Sequence, residues 1–189
     1  MKQKLLNQAK REYSAKQRFL ALLILAPIFL LLLPYLLIQL GVKMDAFFGW
    51  APILSKPLNG ILGLLLMVLG WGLAIWSIYS QFTIGRGTPV PIMATQKLIV
   101  QPPFTYCRNP MALGAISMYL GTALLFRSLG ALMLVLLGAV VLFTYIKLIE
   151  EKEMVLRFGQ EYLEYRQRTP FLIPRIPGKP VERPEKPVE

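Results

Sequence analysis

The chain has 189 residues, 55% of them hydrophobic, with a mean hydropathy of +0.52 and a net charge of +11. Apolar side chains in that amount, gathered in blocks, exclude an ordinary soluble domain and point to one integral membrane unit. Histidine is absent and Cys107 is the only cysteine, which removes imidazole bases, His-containing triads, most zinc or haem sites and any intrachain disulfide.

Six of the 21 basic residues lie in the first 18 positions, against only Glu12. Such a cluster ahead of an apolar run reads as a cytoplasmic anchor on anionic lipid, not as a nucleic-acid face. Four apolar runs follow. Phe19 to Leu40 is the first, with Pro27 and Pro34 as expected kinks. It is too long for a signal-peptide core and no small-x-small cleavage site follows it. Asn59 to Tyr79 is the second, with Trp71, Trp76 and Tyr79 forming an interfacial aromatic belt. Between the two, Met44 to Pro57, with Phe47, Phe48 and Trp50, is expected along the opposite interface. Met111 to Phe126 is the third, about 24 Å long at 1.5 Å per residue and so short for a bilayer core of about 30 Å. Leu129 to Ile149 is the fourth. Counting Lys and Arg in the connections places both chain ends on the cytoplasmic side.

Beyond the fourth span the pattern stays helical, with a break expected near Gly159 and a second amphipathic helix to Arg168. Six prolines from Pro170 to Pro187 describe an extended tail. The expected fold is all-α: a membrane bundle of about four transmembrane helices, a cytoplasmic cofactor-covering loop and a C-terminal amphipathic helix. Its parts are a basic segment (1–18), two transmembrane helices (19–79), a cofactor-binding region with two more (80–169) and a Pro-rich tail (170–189).

The connection 80–110 is long for a compact domain, and such loops are usually functional or disordered. Gly85-Arg86-Gly87-Thr88-Pro89 is best taken as a turn, because no strand-to-helix context supports a phosphate loop. Leu98, Ile99 and Val100 make a short apolar plug. Asn109 and Pro110 suit the N-cap and first position of the third helix. Free N–H groups there also suit a carboxylate ligand, with Arg108 as a fixed cation beside them.

Glu150 and Glu151 follow the fourth span, so a hairpin of the last two spans returns them to the Arg108 face. Lys147 and Glu151, at i,i+4, could pair on the helix surface. Neighbouring helix residues point about 100° apart, so one acid facing inward and one outward also fits. Together with Arg108, the two acids form an amphoteric pocket for a zwitterion bearing an ammonium and a carboxylate. S-adenosylmethionine is one such ligand, and composition alone does not select it.

The run Leu98, Ile99, Val100, Pro103, Phe104, Arg108, Asn109, Pro110, Met111, then Glu150 and Glu151, then Phe158, Gly159, Glu161, Tyr162, Tyr165 and Pro170, resembles the isoprenylcysteine carboxyl methyltransferase family and its phospholipid N-methyltransferase relatives. The likeness covers roughly Gly85 to Pro174. It implies an S-adenosylmethionine site contacted by Gln96, Lys97, Leu98, Ile99, Phe104, Arg108, Asn109, Pro110, Met111, Ala112, Glu150 and Glu151, with Arg108 in the catalytic role and no metal. It further implies a membrane enzyme working at the cytoplasmic face on a lipophilic small molecule or lipidated acceptor that enters from the lipid. Departures are Pro102 and Phe104 for a family glycine and tyrosine, Asn109 for histidine, Ala112 for tyrosine, and Ile146 where the eukaryotic enzymes carry a substrate-facing arginine. Two other readings are a nicotinamide-dependent reductase of the sterol-reductase type and a non-catalytic membrane scaffold.

Overall fold

In a computed structural model, residues 14–87 and 95–175 are described. The rest of the basic amino-terminal segment, the Thr88-Pro89 end of the glycine turn and the Pro-rich tail from 176 lie outside them. Among the described residues every regular element is helical and none is a strand.

Helix α1 runs Ala15–Phe48, α2 Lys56–Thr83 and α3 Pro110–Leu125. Helix α4 (Leu129–Tyr145) passes through a π-turn, Ile146–Glu150, into α5 (Glu151–Arg168). Three continuous helical stretches are long and apolar enough to cross a membrane: Ala15–Phe48, Lys56–Thr83 and Leu129–Arg168. The fourth apolar helix, α3, is shorter. The chain is therefore an integral membrane helical bundle. Exposed rows such as Leu20, Leu23 and Leu31 on α1, Ile61, Leu65 and Leu69 on α2, and Leu137, Val140 and Val141 on α4 belong against lipid.

The short helix is the enclosed one. Ala112, Gly114, Ile116, Met118, Gly121 and Ala123 of α3 are all buried, so a lack of length at the bilayer is compensated by protein on its flanks. Small residues let α2 and α3 approach. A Cβ on Gly70 would stand 2.5 Å from the Met118 nitrogen and 2.6 Å from the Gly114 oxygen, and one on Gly121 would stand 2.6 Å from the Gly63 oxygen. Small residues seven apart on both helices thus face each other, as dispersion-driven packing in lipid requires. A second crossing joins α1 to α4. A Cβ on Gly41 would collide with the backbone of Ala131, and one on Gly130 would lie 2.5 Å from the Gly41 oxygen.

Helix α1 extends eight residues past the expected Leu40 and four before Phe19. The polar residues beyond Leu40 do not end it, because Asp45 finds a partner: its Oδ1 accepts the Gly130 N–H at 2.7 Å, next to the Ser128 N-cap of α4. Gly49 then stops the helix in the left-handed conformation, and Phe48 stacks on Trp50 with ring centroids 4.8 Å apart.

The expected kinks at Pro27 and Pro34 take the form of a π-turn between them, Ile28–Leu32. In that register the Leu33 N–H reaches the Ile28 oxygen, and the next donor would be Pro34, which has none. The Phe29 carbonyl left over accepts the Tyr119 hydroxyl of α3 at 2.6 Å. Tyr119→Phe should therefore lower stability by about 0.5–1.5 kcal/mol. Chemical unfolding in detergent measures this, and an unchanged midpoint would show that the carbonyl needs no partner.

Both ends of the helical hairpins are fixed by contacts. At one end Arg18 Nη1 donates to the Phe82 oxygen at 2.8 Å while its guanidinium lies 4.8 Å from the Phe82 ring. At the other, Arg127 Nη2 donates to the Leu54 oxygen at 3.2 Å. The start of α1, the end of α2, the start of α3 and the end of α4 therefore share one face of the bundle.

Candidate functional site

The loop leaving α2 folds back on the helix end. The Gly85 oxygen accepts N–H groups from Gln96 at 2.6 Å and Lys97 at 3.2 Å, and Gly87 N–H reaches the Gln81 oxygen. The turn expected at Gly85–Gly87 is formed, and a Cβ at Gly87 would stand 2.6 Å from the Thr95 Cα. Of the apolar plug, Ile99 is buried, Leu98 half-buried and Val100 exposed; Lys97 is exposed. The chain then makes tight turns, Phe104 N–H to the Gln101 oxygen and Tyr106 N–H to the Pro103 oxygen. Ser80 Oγ of α2 donates to the Pro102 oxygen at 3.3 Å.

Pro103, Phe104 and Cys107 are buried in this corner. Burial pushes the Cys107 thiol up, against a hydrogen bond with the Asn109 backbone, so Cys107 is a neutral core side chain. Asn109 occupies the N-cap position of α3, but its side chain does not cap the helix. Its Nδ2 instead donates to the Phe171 oxygen at 2.9 Å. Pro110 and Ala112 are buried and Met111 is half-buried.

At the far side of the hairpin, Arg108 Nη1 meets Glu151 Oε1 at 2.5 Å, both side chains 12% exposed. The sequence brings both acids to the Arg108 face with one of them turned inward, and the structure gives the place opposite Arg108 to Glu151. The π-turn is the reason. It adds about one residue to a helical turn, so each residue beyond it takes the direction its predecessor would have had. For the same reason Lys147 and Glu151 form no surface pair, and Lys147 stays exposed. The carboxylate of Glu150 has Tyr145 and Glu153 as its charged and polar neighbours, and among the described residues it has no cationic partner.

Arg108 retains unused capacity. Its Nε is buried without a hydrogen-bond acceptor, and Nη1 and Glu151 Oε1 meet as an ion pair without hydrogen-bond alignment. A guanidinium carries five N–H donors in a planar fork, so open donors remain for a carboxylate. Glu150, lacking a cation, is available to an ammonium. The donor set at the end of the α3–α4 hairpin therefore fits an amphoteric ligand.

Residues that sequence reasoning left without a role complete the site. The Tyr165 hydroxyl of α5 donates to the Phe104 oxygen at 2.6 Å. Gly159, with φ +55° and ψ −127°, breaks α5, and Tyr162 and Tyr165 beyond it are buried. The tail after α5 is docked, at least through Arg175: Arg108 N–H donates to the Pro170 oxygen at 2.9 Å and Arg175 N–H to the Tyr106 oxygen at 3.0 Å. The Phe171 ring stands 5.6 Å from the Arg108 guanidinium and 6.0 Å from the Phe143 ring of α4. A proline-rich composition announces none of this.

No curated protein matches the chain. A family model described as phospholipid methyltransferase matches residues 58–161, more than half of the 189. The match runs from α2 through the loop, the α3–α4 hairpin and the first turns of α5. It takes in Arg108, Glu150 and Glu151 and favours methyl transfer over the reductase reading. The chain belongs to the phospholipid methyltransferase family, membrane methyltransferases acting on lipid-type substrates.

Proposed function

We propose that the protein transfers a methyl group from S-adenosylmethionine to a lipid-soluble or lipid-anchored acceptor at the cytoplasmic face of the membrane. The observation that carries this is the half-buried Arg108, which is paired with Glu151 and keeps an Nε without an acceptor. When bound, the cofactor supplies an electrophilic methyl carbon on a sulfonium, so neither a metal nor a histidine is needed.

The residues divide the work. Arg108 holds the ligand carboxylate, and Glu151 keeps the guanidinium in place. Glu150 holds the ammonium, the first N–H groups of α3, at Met111 and Ala112 behind the Pro110 ring, adding their dipole beside Arg108. Leu98, Ile99 and Phe104 pack the adenosine under the loop that begins at Gln96 and Lys97. Alignment and exclusion of water are what the protein contributes to an in-line displacement. The nucleophile is a carboxylate, amine or hydroxyl of the acceptor, and no side chain is assigned as a general base. Ile146 is only 4% exposed and offers nothing to an acceptor carboxylate. The cytoplasmic placement rests on charge: Arg18, Arg86, Lys97, Arg108, Arg157 and Arg175 are near the site's end of the bundle, against Lys43, Lys56 and Arg127 at the other.

Calorimetric titration of the purified protein should show saturable S-adenosylmethionine binding that Glu150→Ala abolishes. Binding by that variant equal to the parent's would remove Glu150 from the site. Absence of saturable binding by the parent would remove the cofactor itself.

A further inference from the structure

We infer that Phe171, on the segment following α5, is a positioning residue: it holds the Arg108 guanidinium in the orientation that receives the cofactor carboxylate. The inference rests on the cofactor reading above and adds a device that the loop, hairpin and acids do not provide.

Four hydrogen bonds fasten residues 165–175 to residues 104–109: Tyr165 to Phe104, Arg108 to Pro170, Asn109 to Phe171 and Arg175 to Tyr106. The tail thus lies over residues 104–109 as a strap. Two of the bonds come from Arg108 and Asn109 themselves, the residues that lead into α3. The strap is thus tied to the site and not merely to its surroundings.

Phe171 joins it to both sides of the hairpin. Its ring lies under the Arg108 guanidinium at 5.6 Å and meets Phe143 of α4 at 6.0 Å with an interplanar angle of 72°. A cation is attracted to an aromatic face, and an aromatic pair at that spacing and tilt is favourable. Glu151 attracts Arg108 from one direction and the ring fixes its plane from another. The Glu151 contact and a hydrogen bond to the Tyr162 side chain hold the guanidinium by its edge and leave its plane room to swing. The ring restricts that swing, so less order has to be imposed when the ligand binds.

The test uses the full chain in detergent with S-adenosylhomocysteine, the demethylated product, as the titrant. Phe171→Leu keeps an apolar side chain without a π face, and Phe171→Trp keeps the face. Phe171→Leu should weaken binding by about tenfold, while Phe171→Trp stays within about threefold of the parent. Hydrogen exchange at the Arg108 and Arg175 amides, which the strap protects, should rise in Phe171→Leu with helix content by circular dichroism unchanged. Equal affinity for parent and Phe171→Leu overturns the inference and leaves the cofactor reading standing. Equal losses in both variants overturn it too, since the aromatic face is then not the cause. A parent that binds no S-adenosylhomocysteine removes the cofactor reading, and the inference falls with it.

Discussion

Arg108→Ala should abolish methyl transfer and raise the dissociation constant for S-adenosylmethionine by about thirtyfold or more, since losing one partner of a desolvated charge pair costs about 2–5 kcal/mol. Two effects add. The ligand carboxylate loses its only proposed cation, and Glu151, 12% exposed, is left without its counter-charge. The second effect reaches the ligand-free protein, so its unfolding midpoint in detergent should fall as well. Glu151→Gln isolates the loss of the pair: shape is kept, charge is lost and the half-buried Arg108 faces only a neutral amide. It should destabilise by roughly 2–4 kcal/mol, less than a fully buried pair would because some solvent reaches both groups. Arg108→Lys should fall between parent and alanine, since an ammonium keeps the charge and loses the planar fork and the ring contact. Wild-type affinity and stability in Arg108→Ala would mean the pair is a surface ornament.

The largest structural effect belongs to the α2–α3 crossing. Gly114→Ile should prevent the helices from docking. A Cβ at Gly114 would already lie 2.7 Å from the Ala74 nitrogen and 2.8 Å from the Gly70 oxygen, both backbone atoms of α2 that cannot turn aside. Overpacking a tight site costs about 1–3 kcal/mol per modest enlargement, and a branched residue adds three further carbons. The expected outcome is loss of a monodisperse protein on size-exclusion chromatography in detergent. Gly60→Ala and Gly72→Ala are the controls on the same helix pair. Nothing stands within 4 Å of either position, so these should be neutral or stabilising by up to about 1 kcal/mol through helix propensity. If Gly114→Ile behaves like the controls, the two helices do not cross at this point.

The spans were legible because lipid imposes a simple rule on composition. Met111–Phe126 is observed as Pro110–Leu125, and the start of the fourth span at Leu129 is met. The break near Gly159 was also legible, from a glycine in an otherwise helical pattern. The C-terminal extension of α1 past Leu40 is not legible locally, because Lys43 and Asp45 look like an exit from the bilayer. The partner that keeps Asp45 in the helix, Gly130, is 85 residues away.

The site was legible in outline and not in register. That Arg108 and an acid pair would converge follows from hairpin geometry, which sequence supplies. Which acid turns to Arg108 depends on a π-turn at Ile146–Glu150, and an extra residue in a helical turn leaves no mark on an apolar pattern. Asn109 shows the same limit. Its residue type is right for an N-cap, yet a carbonyl from Phe171 takes its amide. Prolines at 170 and 174 signal extended backbone correctly, while the docking of that backbone depends on Phe143 and Tyr106, contacts that no local pattern encodes.

An experimental structure of the S-adenosylhomocysteine complex tests the central claim most directly. The ligand carboxylate should lie within hydrogen-bond distance of the Arg108 guanidinium and its ammonium against Glu150, with Ile99 and Phe104 along the adenosine. A ligand bound elsewhere, with Arg108 and Glu151 still closed on each other, would contradict the account.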